Sequence, residues 1–129
     1  MATRCSILNT TLSLALVLGI CVPAEAEKLT RAFVVKSINY YADTDGDGDR
    51  EYGGCMIRVD PDPSTVLAGC GSRFVAPSCD GTHGSKSMAA EVMNQATLAA
   101  VTGRQITLEI DNAKKHSGRC YVDYAATSW

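Results

Sequence analysis

The densest chemistry in the sequence is a run of carboxylates, Asp43-Thr44-Asp45-Gly46-Asp47-Gly48-Asp49-Arg50-Glu51. Calcium takes about six to eight oxygen ligands, and Asp at positions one, three and five with Gly at six lets a loop wrap the ion. Asp43, Asp45, Asp47 and Gly48 meet that spacing. Asp49 would add its backbone carbonyl and Glu51 a water-mediated contact. The twelfth position holds Gly54, where a helix-flanked calcium loop carries a bidentate Glu. The flanks read as strands, so the expectation is a looser, weak calcium loop with Asp43, Asp45, Asp47, Asp49 and Glu51 as metal ligands. The competing reading is a solvated turn, for which Asp and Gly are ordinary residues. Against it, carboxylates this close repel one another unless a cation shields them.

Cysteine is the second chemical signal, and its meaning depends on the compartment. Residues 1–26 have the features of a secretory signal: Arg4 at a short positive start, a largely apolar run over 7–22, and small residues at Ala24 and Ala26. Asn9, Thr10, Thr11 and Ser13 interrupt the run and disfavour a membrane anchor. Bulky Ile20 disfavours lipidation of Cys21. Cleavage after Ala26 leaves one domain, 27–129, secreted or periplasmic, without Cys5 and Cys21. Cys55, Cys70, Cys79 and Cys120 then imply two disulfides with three possible connectivities. A metal site is disfavoured, because neither Cys-x-x-Cys nor paired His spacing occurs.

Catalytic chemistry is less visible. His83 and His116 stand alone in polar stretches and read as solvated. No Ser, His and acid arrangement or activated Cys is suggested, so the expectation is a non-enzymatic chain. Tyr40, Tyr41, Tyr52, Tyr121 and Tyr124 could form a sugar-stacking surface, although Tyr is also an ordinary strand residue. A net charge of −2 without a block of Lys or Arg disfavours nucleic acid and a purely electrostatic membrane role. No other apolar run is long enough to cross a bilayer.

The elements that must position these residues are organised around 85–111. Met88, Ala89, Val92, Met93, Ala96, Ala99 and Ala100 recur at helical spacing. From Arg104 the period becomes two, with Ile106, Leu108 and Ile110 on one side. Gly103 stands at the change, where a helix end favours a left-handed residue, and Ser85 or Ser87 is placed to cap the start. Before the helix, strands are expected over 27–41, bent near Val34-Val35, then 52–60 and 65–76. The turn Pro61-Asp62-Pro63-Ser64 makes a hairpin of the last two, with Cys55 opposite Cys70. That favours Cys55–Cys70 with Cys79–Cys120, the other pairings staying open. An irregular link fills 77–84. After strand four comes a polar turn over 112–117 and a last strand over 118–125, with Cys120, Val122 and Tyr124 on one face. Three strands, a helix and two strands are the layout of a mainly β, five-stranded OB-fold, a partly open barrel plugged by its helix.

Several stretches carry a family likeness. They are Cys55-Met56-Ile57-Arg58-Val59, Val66-Leu67-Ala68-Gly69-Cys70, Lys86-Ser87-Met88 and the helix-to-strand junction over 99–110. In these the chain resembles small exported bacterial OB-fold proteins related to the B subunits of subtilase and pertussis-like toxins. The resemblance implies a ring of five subunits that binds cell-surface glycans beside a separate catalytic subunit. It assigns no glycan-binding residue to a position in this chain. The alternative is a monomeric secreted or periplasmic calcium-binding protein with a structural or partner-binding role.

Overall fold

The architecture is given by a computed structural model that describes residues 26–42 and 51–128. Five strands form one antiparallel sheet in the order β3-β2-β1-β4-β5: β1 is Lys28–Tyr40, β2 Cys55–Asp60, β3 Phe74–Val75, β4 Gln105–His116 and β5 Arg119–Thr127. Helix α2, Lys86–Thr102, lies between β3 and β4 in the chain and packs mainly on β5 and β1. Among the described residues, mainly β structure, a single long helix and two disulfides are therefore as expected.

The helix forms where its period and caps dictate. Ser85 accepts the Met88 amide at 3.1 Å, and Gly103 ends the helix at φ 67° with its amide donating to Ala99. Ala89, Val92, Met93, Ala96 and Ala99 are buried against the sheet. The expected stripe is too wide: Met88 is 45% exposed and Ala100 also faces solvent. Small alanines let the helix approach Phe33, Ile106, Leu108, Ile110 and Val122, all buried and in one core cluster.

Strand β1 is bulged near Val34-Val35 as expected, at the next residue along. Val35 pairs with Val59 and Ser37 with Arg58, so Lys36 is the extra residue of a β-bulge. The bulge shifts the alternation, which puts Val35 and then Ile38 against the core.

The third strand is the main correction. Instead of a strand over 65–76, the chain makes a one-turn helix α1, Pro63–Val66, and only Phe74–Val75 pairs with β2. The cause is local. Asp62 accepts from the Ser64 amide at 3.0 Å and its hydroxyl at 2.8 Å, and Pro63 occupies the first turn, where its missing N–H is harmless. The Asp60–Pro61 peptide bond is cis.

Without a long hairpin the favoured cysteine pairing fails. The disulfides are Cys55–Cys79 and Cys70–Cys120. The Gly71 amide donates to the Gly118 carbonyl at 2.7 Å and carries Cys70 to β5. The Asp80 amide donates to Gly53 at 2.9 Å and carries Cys79 back to the start of β2. Loops of 24 and 50 residues are closed, each a stabilisation on the order of 3–4 kcal/mol in the chain-entropy account.

The segment 112–117, expected as a turn, belongs mostly to β4, which runs on to His116. The turn is only Ser117-Gly118, both at positive φ, with His116 opposite Arg119. In β5 a register shift at Asp123 breaks the expected alternation, because Tyr124 pairs with Glu109 but Val122 with Ile110. Tyr124 consequently points out, 52% exposed, while Tyr121 is buried.

The two ends of the sheet touch once. Ala76, just beyond β3, forms a parallel bridge to Tyr121, with amide bonds from Ala76 to Cys120 and from Val122 to Ala76. One bridge does not close the sheet, so a complete barrel is not established. Among the described residues no helix is long and apolar enough to cross a membrane.

Candidate functional site

Of the expected calcium ligands, Asp43, Asp45, Asp47 and Asp49 lie outside the described residues. Glu51 opens a 3-10 turn, Glu51–Gly54, and is exposed. Either side of the acidic segment is tied together. The Tyr41 amide donates to Gly54 at 3.0 Å, and the Tyr41 and Tyr52 rings lie 5.1 Å apart. Among the described residues no group of three or more His, Cys, Asp or Glu could hold a metal ion.

The histidines are not solvated in isolation. Chain reversal at 77–84 and the long β4 bring the His83 and His116 rings to 4.5 Å, with Tyr121 5.9 Å from His83. The His83 Nε2–H donates to the Lys115 carbonyl at 3.0 Å. His116 Nε2 lies 3.9 Å from Asp80 Oδ1, and these side chains are only 10% and 5% exposed. Burial pushes the Asp80 carboxyl up, but the Thr82 amide and hydroxyl, the Ser78 hydroxyl and the field of His116 outweigh it and hold it below its ordinary range. The His116 ring lies against Gly53, where a Cβ would collide with it. Nothing local in the sequence announces this cluster, since its members are 33 and 36 residues apart.

Ser78, Asp80 and His83 match a hydrolytic trio in residue type only. Ser78 Oγ donates to Asp80 at 2.9 Å and accepts the backbone amide of His83 at 3.0 Å, not its ring. The hydroxyl is thereby committed to holding the loop, beside the Cys55–Cys79 bridge. The tyrosines do not make one stacking platform either. Tyr121 is buried, its phenol pushed up by burial and by Asp123, while Tyr41 and Tyr52 pack on each other.

A cleft of about 440 Å³ opens on the outer face of the sheet, lined by Lys36, Arg58, Val59, Asp60, Asp62 and Arg73. Three separate segments build it. Lys36 comes from the β1 bulge, Arg58 from the outer face of β2 between core-facing Ile57 and Val59, and Arg73 from the residue before β3. Arg73 sits at φ 69° and is pinned on both sides: its amide donates to Asp62 Oδ1 at 2.9 Å and its carbonyl accepts from Val59 at 3.0 Å. Such a backbone costs on the order of 1–3 kcal/mol for a residue other than Gly. Burial raises the Asp62 carboxyl, but bonds from Arg73 and Ser64 outweigh that and keep it ionised below the usual range. Lys36 makes a loose, exposed pair with Asp60 at 3.8 Å.

Comparison with protein-family models, with curated proteins and with solved structures finds no match. The likeness to toxin B subunits therefore rests on the residues quoted for it and on nothing else.

Proposed function

We propose that the chain is an exported, non-enzymatic binding module that takes a cell-surface glycan in the cleft over β1 and β2. The observation that carries the reading is that cleft: polar side chains from three segments converge over strands stapled by two disulfides. Disulfides of this kind suit an oxidising compartment, as export through residues 1–26 would provide. The strand order and the Ala76–Tyr121 bridge support a partly open OB-type barrel. A glycan array probed with the oxidised protein tests the reading, and native mass spectrometry tests the ring of five implied by the resemblance. Binding to no glycan overturns the first; a monomer overturns the second.

A second reading is favoured by the clasp between Tyr41 and Gly54. It holds together the two sides of the acidic segment, as a weak calcium loop formed by Asp43, Asp45, Asp47, Asp49 and Glu51 would require. Extracellular calcium modules bind at roughly 10⁻⁴–10⁻³ M. Millimolar calcium then raises the melting temperature of the wild type but not of Asp45→Ala. Identical melting with and without calcium removes this reading.

A further inference from the structure

We propose that Lys36, Arg58 and Arg73 form an oxyanion site that takes the acidic group, a carboxylate or sulfate ester, of a saccharide ligand. The saccharide half rests on the binding-module reading; the oxyanion half rests on the cleft itself.

The charges in the cleft are not equivalent. Three cations face two carboxylates in a chain whose net charge is −2, so the local field opposes the global one. The carboxylates are also differently engaged. Asp62 Oδ1 accepts the amides of Ser64 and Arg73 and the Ser64 hydroxyl, which commits that oxygen to the loop. Among the described residues the Asp60 carboxylate has one ion-pair partner, Lys36 at 3.8 Å, and both are exposed. Arg58 is exposed, and among the described residues no hydrogen bond or ion pair engages its side chain, its backbone being paired in the sheet. Its guanidinium is a planar fork suited to two oxygens of a carboxylate or sulfate.

Position supports the same conclusion. The bulge inserts Lys36 beside Ser37, the residue opposite Arg58, and so aims a second cation towards the first. Arg73 holds a left-handed backbone between two hydrogen bonds, which fixes where its side chain begins. The bulge, the middle of β2 and a pinned loop are all rigid points of attachment, so little ordering is needed on binding. A flat basic stripe would track a polymer backbone; three cations gathered at one open cleft suit one acidic group.

Calorimetry and NMR titration of the full oxidised chain at low ionic strength test this with four probes: galactose, galacturonic acid, galactose 6-sulfate and inorganic sulfate. Both acidic sugars are expected to bind at least roughly tenfold more tightly than galactose, and to shift the Arg58 and Arg73 side-chain Nε–H signals. Arg58→Gln, which leaves the Asp62 bonds intact, should remove about tenfold of that preference without altering the near-ultraviolet dichroism. Arg73→Gln and Lys36→Gln should act in the same direction. Arg31→Gln, on the exposed surface of β1 away from the cleft, should change nothing. Equal binding of acidic and neutral sugars, or equal loss in Arg31→Gln, overturns the oxyanion site. Inorganic sulfate binding as tightly as the sulfated sugar overturns the saccharide as occupant. A glycan array positive only for neutral sugars leaves the binding module standing and this site refuted. Acidic-sugar binding that depends on Arg58, with an empty array, leaves this site standing and the cell-surface reading refuted.

Discussion

Gly71 donates its amide hydrogen to the Gly118 carbonyl at 2.7 Å, and this contact sets Cys70 beside Cys120. A Cβ on Gly71 would meet both the Gly118 carbonyl and the Arg119 side chain, so the loop can lie this close to the β4–β5 turn only without one. The expected outcome of non-reducing peptide mapping is therefore Cys55–Cys79 and Cys70–Cys120. Replacing Cys70 and Cys120 together by Ser should lower unfolding free energy by on the order of 4 kcal/mol, read by urea titration. Gly71→Ala in the otherwise intact protein should be destabilised in the same titration.

Acid should unfold the protein through Asp62 and Asp80. Both carboxyls are held below their ordinary value in the folded state. Each contributes stability that is fully present above the unfolded carboxylate pKa, about 4, and is lost as pH falls through the lower folded value. Urea midpoints should accordingly vary little on account of these groups between pH 5 and 7 (roughly) and fall below about pH 4. In Asp62→Asn with Asp80→Asn the acid limb should flatten. A limb of unchanged steepness in that double variant would show that other groups govern acid unfolding.

Gly53 and His116 should behave as one unit. Gly53 has φ 72°, and its missing side chain leaves room for the imidazole. Gly53→Ala combines left-handed strain of about 1–2 kcal/mol with a collision, so its loss should exceed that of Gly103→Ala. Gly103 has a similar φ of 67° but nothing within 4 Å of the added carbon. In a double-mutant cycle, His116→Ala should recover part of the Gly53→Ala loss. Strict additivity would separate the two residues energetically.

Phe33 is fully buried at the centre of the core cluster, on the strand shared by β2 and β4. Phe33→Ala should cost about 3–5 kcal/mol, measured by denaturation, because a cavity opens where helix and sheet meet. Tyr40→Ala, at a residue 68% exposed, should stay within about 0.5 kcal/mol of wild type. That contrast checks where the core lies.

The helix and the strand after it were legible because their signals are local. Ser85, the Ala-rich period and Gly103 all act within one element, and Ile106, Leu108 and Ile110 alternate without interruption. The error at 65–76 has the opposite character. Val66 and Leu67 suggest a strand by type, but the capping oxygen of Asp62 and the ring of Pro63 decide the backbone there. One wrong strand then misdirected the cysteines, since the equal-arm hairpin was the only ground for the favoured pairing. Polar Lys114, Lys115 and His116 looked like turn residues, although β4 needs no apolar side chain where it runs past the core. The cleft was illegible for another reason: Lys36, Arg58 and Arg73 meet only through a bulge and a short β3 pairing. Cations that far apart in sequence resemble scattered surface charge.

The two sulfur links overlap in sequence, one spanning 55–79 and the other 70–120. A protease that cuts once anywhere between Cys55 and Cys120 therefore frees no fragment, since at least one link still bridges the nick. Such a cut adds one water to the mass of the oxidised chain and splits it only after reduction. In a compartment rich in secreted proteases, the molecule would outlast its first scission as a single covalent body.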